Sequence, residues 1–89
     1  MRWAPEKSIV KDDLLTYDLD DRVYHLRVTS VEQEYRRTVY KMIIYTNETR
    51  TDVLTYMNYN QNELFNYLRT GSMKLVEYIP NWKKLLGGN

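Results

Sequence analysis

Between residues 22 and 59 apolar and polar residues alternate with a period of two, the spacing that puts successive side chains of a strand on opposite faces. In 22–31, Tyr24, Leu26 and Val28 form an apolar face while His25, Arg27 and Thr29 point away. A polar bridge, Glu32, Gln33, Glu34 and Tyr35, leads into a second run, 36–46. There Tyr40, Met42 and Ile44 share one side, and Arg37, Val39, Lys41, Ile43 and Tyr45 the other, which is apolar enough on both faces for a central strand. Residues 47–50 have the composition of a turn. From 51 to 59 the alternation resumes, with Val53, Thr55, Met57 and Tyr59 on one side and Leu54, Tyr56 and Asn58 on the other. Three antiparallel strands in a meander are the simplest arrangement.

On either side of this block the period changes. Asn60 followed by Glu63 has the form of a helix cap, Leu64, Phe65 and Leu68 make an apolar stripe, and Gly71 offers a stop, so a helix is predicted at about 61–70. A longer helix from Asp52 through Val53, Met57, Leu64 and Leu68 is disfavoured by Asn58, Asn60 and Asn62. Residues 72–79 read as a further strand ended by Pro80, residues 81–86 as one or two helical turns, and 87–89 as a flexible tail. The segment before residue 22 is ambiguous. Pro5 suits a first helical turn with Val10, Leu14 and Tyr17 on one face, and a helix within about 6–17 is preferred to a strand through Ile9 or Leu14 and Leu15. The expectation is a single α+β domain, 1–89, with a mainly antiparallel sheet of three to five strands and one main helix packed on one face. Its parts are an acidic segment 1–21, a basic meander 22–59, a helix–strand–short helix unit 60–86 and the tail.

Composition supports a sheet. Nine Tyr against one Phe, with eight Thr and a single Ala, favour strands over helices. Low Ala with abundant Asn, Tyr and Lys is also what an AT-rich genome encodes, as in many small viral and mobile-element proteins. At 89 residues the chain buries only about 60–65% of its unfolded surface, so a homodimer that completes the core is an expectation from the outset.

Charge changes the picture more. The net of +1 hides three segments. Arg2, Lys7 and Lys11 against Glu6, Asp12, Asp13, Asp18, Asp20 and Asp21 leave 1–21 at −3. Arg22, Arg27, Arg36, Arg37, Lys41 and Arg50 against Glu32, Glu34 and Glu48 leave 22–50 at +3, and the remainder is +1. The acidic segment could therefore lie over the basic strands.

Candidate chemistry is sparse. Zero Cys removes disulfides, thiolate nucleophiles and Cys-based metal sites, and no stretch resembles a signal peptide or the roughly 20 apolar residues of a membrane span, so a cytoplasmic location is expected, in the host cell if the protein is viral. The single imidazole, His25, reads as a surface residue on a strand's polar face. Ser30 would lie on the other face about 16 Å away, too far for a nucleophile and its base. Asp18, Asp20 and Asp21 resemble the opening of a calcium loop, but the turn glycine and the distal Glu are missing, so a solvated acidic turn is expected. Neighbouring carboxylates such as Asp12 and Asp13 diverge and cannot act as an acid–base pair. With three glycines, two adjacent near the end, no phosphate-cradling loop can be built. Asn47, Glu48 and Thr49 match a glycosylation sequon, taken as chance without a secretory signal. No enzyme, cofactor or metal is expected.

What remains is an interaction surface. Arg27, Tyr35, Arg36, Arg37 and Lys41 are the candidate partner-binding residues, because Tyr and Arg are enriched at the centres of protein interfaces and nine Tyr exceed what so small a core can bury with every hydroxyl satisfied. If Tyr24 and Tyr40 join the core, the exposed set contracts to the basic residues with Tyr35 and Tyr45. The reading is a non-enzymatic protein that binds and modulates a protein partner. The alternative is nucleic-acid binding by the basic hairpin 22–46, with Arg in a groove and Tyr stacked on unpaired bases. Trp82, Leu85 and Leu86 with Lys83 and Lys84 are too short a stretch for membrane anchoring, and docking of Trp82 onto the sheet is preferred.

Overall fold

Residues 3–76 are described by a computed structural model. They form strands β1 (Leu14–Leu19), β2 (Arg22–Glu34), β3 (Arg37–Tyr45) and β4 (Val53–Asn60), helix α1 (Gln61–Thr70) and strand β5 (Met73–Leu75). The strands make one antiparallel sheet in the order β4-β3-β2-β1-β5. This is the small α+β domain that the alternation predicts, with the meander at β2, β3 and β4. The far part of the predicted 72–79 strand, the turns at 81–86, the Trp82 dock and the tail lie outside the described residues.

Two tight hairpins set the register. Leu19 pairs with Arg22 across Asp20 and Asp21, whose φ values of 50° and 62° are the left-handed pair that a type I′ turn requires and that Asp tolerates. The acidic run is therefore a turn. Glu34 pairs with Arg37 across Tyr35 and Arg36, with Arg36 at φ 74°. The polar stretch 32–35 is not a bridge between strands, as read from the sequence. Glu32, Gln33 and Glu34 continue β2, because the pairing slips by one residue at Thr29. The slip reverses the alternation, so Val31 comes opposite core Tyr40, and Thr29 Oγ1 donates to Lys41 O at 3.1 Å.

The preferred helix within 6–17 is a second correction. Leu14 to Leu19 form a strand, and no helix lies among the described residues before it. Every residue of β1 pairs with β2, placing Leu15 against Leu26 and Tyr17 against Tyr24, a tertiary gain that overrides the helical spacing of Val10, Leu14 and Tyr17. β1 also receives β5 on its other edge, Leu15 opposite Leu75.

The main core lies on one face of the sheet. Leu15, Leu26, Val28, Tyr40, Met42, Ile44, Tyr59 and Met73 of the sheet meet Leu64 of α1 and Ile9 of the N-terminal segment, while Trp3 adds an edge-on contact to Phe65 at 5.9 Å. The helix is bounded as its sequence predicts. Asn60 Oδ1 accepts from Glu63 N at 2.9 Å, Glu63 Oε1 accepts from Asn60 N at 3.0 Å, and Gly71 closes the end at φ 85°. Crossing the sheet, α1 joins one edge strand, β4, to the other, β5.

Three tyrosines cluster under the helix, with Tyr67 5.3 Å from Tyr17 and 5.8 Å from Tyr59 between ring centres. Burial pushes the Tyr59 hydroxyl up to about 12 and also raises Tyr17 and Tyr40 above the ordinary value near 10. Below pH 10 the phenol is protonated in both folded and unfolded chains. Between about 10 and 12 the unfolded chain loses a proton that the folded one keeps, so stability falls as pH rises. Tyr59 alone is expected to account for a loss of about 2–3 kcal/mol over that window. Denaturant unfolding at about pH 9 and about pH 11.5 checks this; Tyr59→Phe should flatten most of the decline, and an unchanged decline would assign it to other groups.

Candidate interaction surface

The helix covers one face of the sheet, and the five sequence-predicted residues fall away from it in two groups. Arg27 and Lys41 lie in the middle of the uncovered face, Arg27 paired with Ile43 and Lys41 with Ser30. Tyr35, Arg36 and Arg37 stand together at the β2–β3 turn.

Both cations of the first group are already engaged. Arg27 donates through Nε and Nη2 to the Tyr45 hydroxyl at 3.4 and 3.3 Å, and its Nη1 lies 3.4 Å from Asp12 Oδ1. The Tyr45 bond first, then the charge of Asp12, raise the Arg27 pKa against the opposing effect of burial. Lys41 Nζ is 2.9 Å from Glu32 Oε2. That contact raises the lysine and lowers the glutamate, though both are exposed and such a pair adds little to stability. Asp12 belongs to the acidic segment, whose main chain extends the sheet: Asp12 N donates to Val28 O at 2.8 Å and Val28 N to Asp13 O at 2.9 Å. The N-terminal acids thus lie against the basic strand, Asp12 through Arg27 and the main chain of Asp12 and Asp13 through Val28, while Lys7 pairs with Asp13 within the segment itself.

Tyr45 is a correction. It is buried, not exposed, because the Arg27 side chain bonds its hydroxyl on the uncovered face. Val39 is buried on that face as well. His25, read as a surface residue, is half-buried opposite Thr16 and Tyr45, with Nδ1 enclosed and no hydrogen-bond partner.

The second group is different. Tyr35 is 91% exposed, and the Arg36 guanidinium sits 5.8 Å from its ring centre in a cation–π contact. Among the described residues neither Arg36 nor Arg37 has a carboxylate within ion-pair distance. Both border an open cleft of about 340 Å³ whose other walls are Gln33, Thr38, Asn60, Gln61 and Asn62, all polar. Alternation alone does not bring in Asn60, Gln61 and Asn62. Their signal is the helix cap at Asn60, and it becomes spatial only once Asn60 is paired with Val39 near the start of β3.

Among the described residues no three His, Asp or Glu side chains gather as metal ligands would, and no helix is long and apolar enough to cross a membrane. Comparison with known proteins finds no match: no family model, no curated protein and no solved structure is significantly similar to this chain.

Proposed function

We propose that this chain is a non-enzymatic interaction protein that binds a protein partner at the β2–β3 turn and modulates it. The observation that carries the reading is the turn itself: an aromatic ring almost fully in solvent, stacked with one arginine and beside a second, with neither guanidinium neutralised. Tyr and Arg so placed form an anchor of the kind found at interface centres, and the partner chemistry they fit is a carboxylate-bearing surface with a shallow apolar recess for Tyr35. Arg27 and Lys41 act behind this anchor, fixing the sheet face through Tyr45, Asp12 and Glu32. Their engagement weakens the nucleic-acid alternative, since a phosphate track along the hairpin 22–46 would keep only Arg22, Arg36 and Arg37 of its five cations. Absence of cysteine fits a reducing compartment, the cytoplasm, or that of the host cell if the gene is viral or from a mobile element.

The test is capture of a protein from cell extract, followed by affinity measurement with purified partner. Combined Tyr35→Ala, Arg36→Ala and Arg37→Ala should weaken binding at least about a hundredfold, while Lys41→Ala leaves it within about twofold. Steeply salt-dependent binding of unrelated oligonucleotides, abolished by the same triple substitution, would transfer the turn to nucleic acid.

A further inference from the structure

The two edges of the sheet are unlike. β5 is three residues long, and its central Lys74 stands 3.8 Å from Asp18, so this edge is short and charged. β4 is eight residues long, and Val53–Asn60 contains no charge and no proline. Its outer side pairs with nothing among the described residues. Val53, Leu54, Tyr56 and Met57 are all substantially exposed there, Tyr56 at 69%. Edge strands in soluble proteins are ordinarily protected by charge, proline or brevity, and β4 has none of these. Its one irregularity is a register slip at Leu54.

We propose that β4 pairs antiparallel with β4 of a second copy of this chain, about a two-fold axis near Tyr56, joining two five-stranded sheets into one. The flanking charges select this occupant and this direction. Asp52, just before the strand, is exposed and has no ion-pair partner among the described residues, while Arg37, beside the strand's far end through the pairing of Val39 with Asn60, also has none; Glu63 at that end is turned into the helix cap, where it accepts from Asn60 N at 3.0 Å. An antiparallel two-fold arrangement brings the Asp52 end of each copy to the Arg37 end of the other. A parallel arrangement would put like ends together. Between the ends an uncharged strand meets itself without repulsion, Thr55 opposite Met57 and Leu54 opposite Asn58.

Sedimentation of the full chain over a range of concentrations tests this. The wild type should show a reversible monomer–dimer equilibrium. Tyr56→Lys sets two ammonium groups side by side at the axis and should raise the dissociation constant at least about tenfold, with circular dichroism unchanged, and melting unchanged at concentrations where the wild type is monomeric, because the residue is exposed. Asp52→Arg and Arg37→Asp should each weaken the dimer, and the two together should restore it. A dimer indifferent to Tyr56→Lys would overturn the proposal, as would a monomer at every concentration. In the monomer case exchange of the β4 amides that do not bond to β3 identifies the alternative: their protection points to cover by residues 77–89 of the same chain, and their free exchange leaves the edge open. The readout is self-association without a partner, so its failure is distinguishable from failure of partner binding; Arg37 is common to both surfaces, and Tyr56→Lys touches the dimer alone.

Discussion

Leu64→Ala is expected to lower the unfolding free energy by about 3 kcal/mol, within the range for a fully buried leucine truncated in a core that cannot collapse around the gap. Leu64 is the one fully buried side chain of α1, and among the described residues that helix is the main cover of the sheet's apolar face. Against a total stability of roughly 4–13 kcal/mol for a domain of this length, the loss is large. Leu64 shares one buried cluster with Leu15, Leu26, Met42, Tyr59 and Met73, one from each strand, so the cavity is bounded by several elements and has little freedom to close. Urea unfolding measures the change. Leu64→Met, which keeps the volume, should cost less than about 1.5 kcal/mol. A loss under about 1 kcal/mol for the alanine variant would mean that the sheet holds its face together without the helix.

Arg50→Ala is expected to remove about 2 kcal/mol, although the residue lies in a loop. Its Nε donates to Leu26 O at 3.0 Å, Nη2 to Leu15 O at 2.9 Å and Nη1 to Glu48 O at 3.0 Å. Leu15 and Leu26 are cross-strand partners, so one side chain of the β3–β4 connection ties that connection to β1 and β2 together. Three bonds from a charged donor suggest more than 2 kcal/mol, but burial of the guanidinium, which draws its pKa below the ordinary arginine value, offsets part of the gain. Arg50→Lys should recover only part of the loss, because one ammonium cannot reach three carbonyls in the geometry of a planar fork. Comparison with Arg50→Gly separates side chain from backbone. The residue sits at φ 56°, so glycine should be less damaging than alanine by about 0.5–1 kcal/mol, and thermal or urea unfolding of the three variants resolves the order. A loss under about 0.5 kcal/mol for alanine would mean that the bonds to Leu15 and Leu26 contribute nothing net.

What was legible in the sequence was what local chemistry decides. The period of two through β2, β3 and β4, the cap from Asn60 to Glu63 and the stop at Gly71 are each written within a few residues, and each lies where the pattern places it. β1 was not legible, because Leu14 and Tyr17 fit one face of a helix as well as they fit a strand, and only pairing with Arg27 and Tyr24 decides. The extension of β2 through Glu34 was hidden by the slip at Thr29, which exchanges the two faces without changing the composition. The candidate site shows the same division. Tyr35 closes the polar stretch between two alternating runs and can be read as a loop residue, whereas Arg36, read as the first residue of the second run, is put in the turn by the pairing of Glu34 with Arg37. The engagement of Arg27 and the burial of Tyr45 depend on a residue 15 positions earlier and another 18 later, so they follow from register and not from spacing.

The passage of α1 from one edge of the sheet to the other has a consequence for the order of assembly. β1 is made early, yet one of its neighbours, β5, follows some sixty residues later, with Leu15 meeting Leu75. The meander of β1 to β4 can form from hairpins alone, each closing a short loop. Completing β1 requires a far larger loop closure, with the helix laid across the whole sheet first. On the ribosome, β1 therefore presents the open main chain of Leu15, Thr16 and Tyr17 until residue 75 has emerged. During synthesis both borders of the sheet are thus open, and docking of β5 closes the β1 border alone.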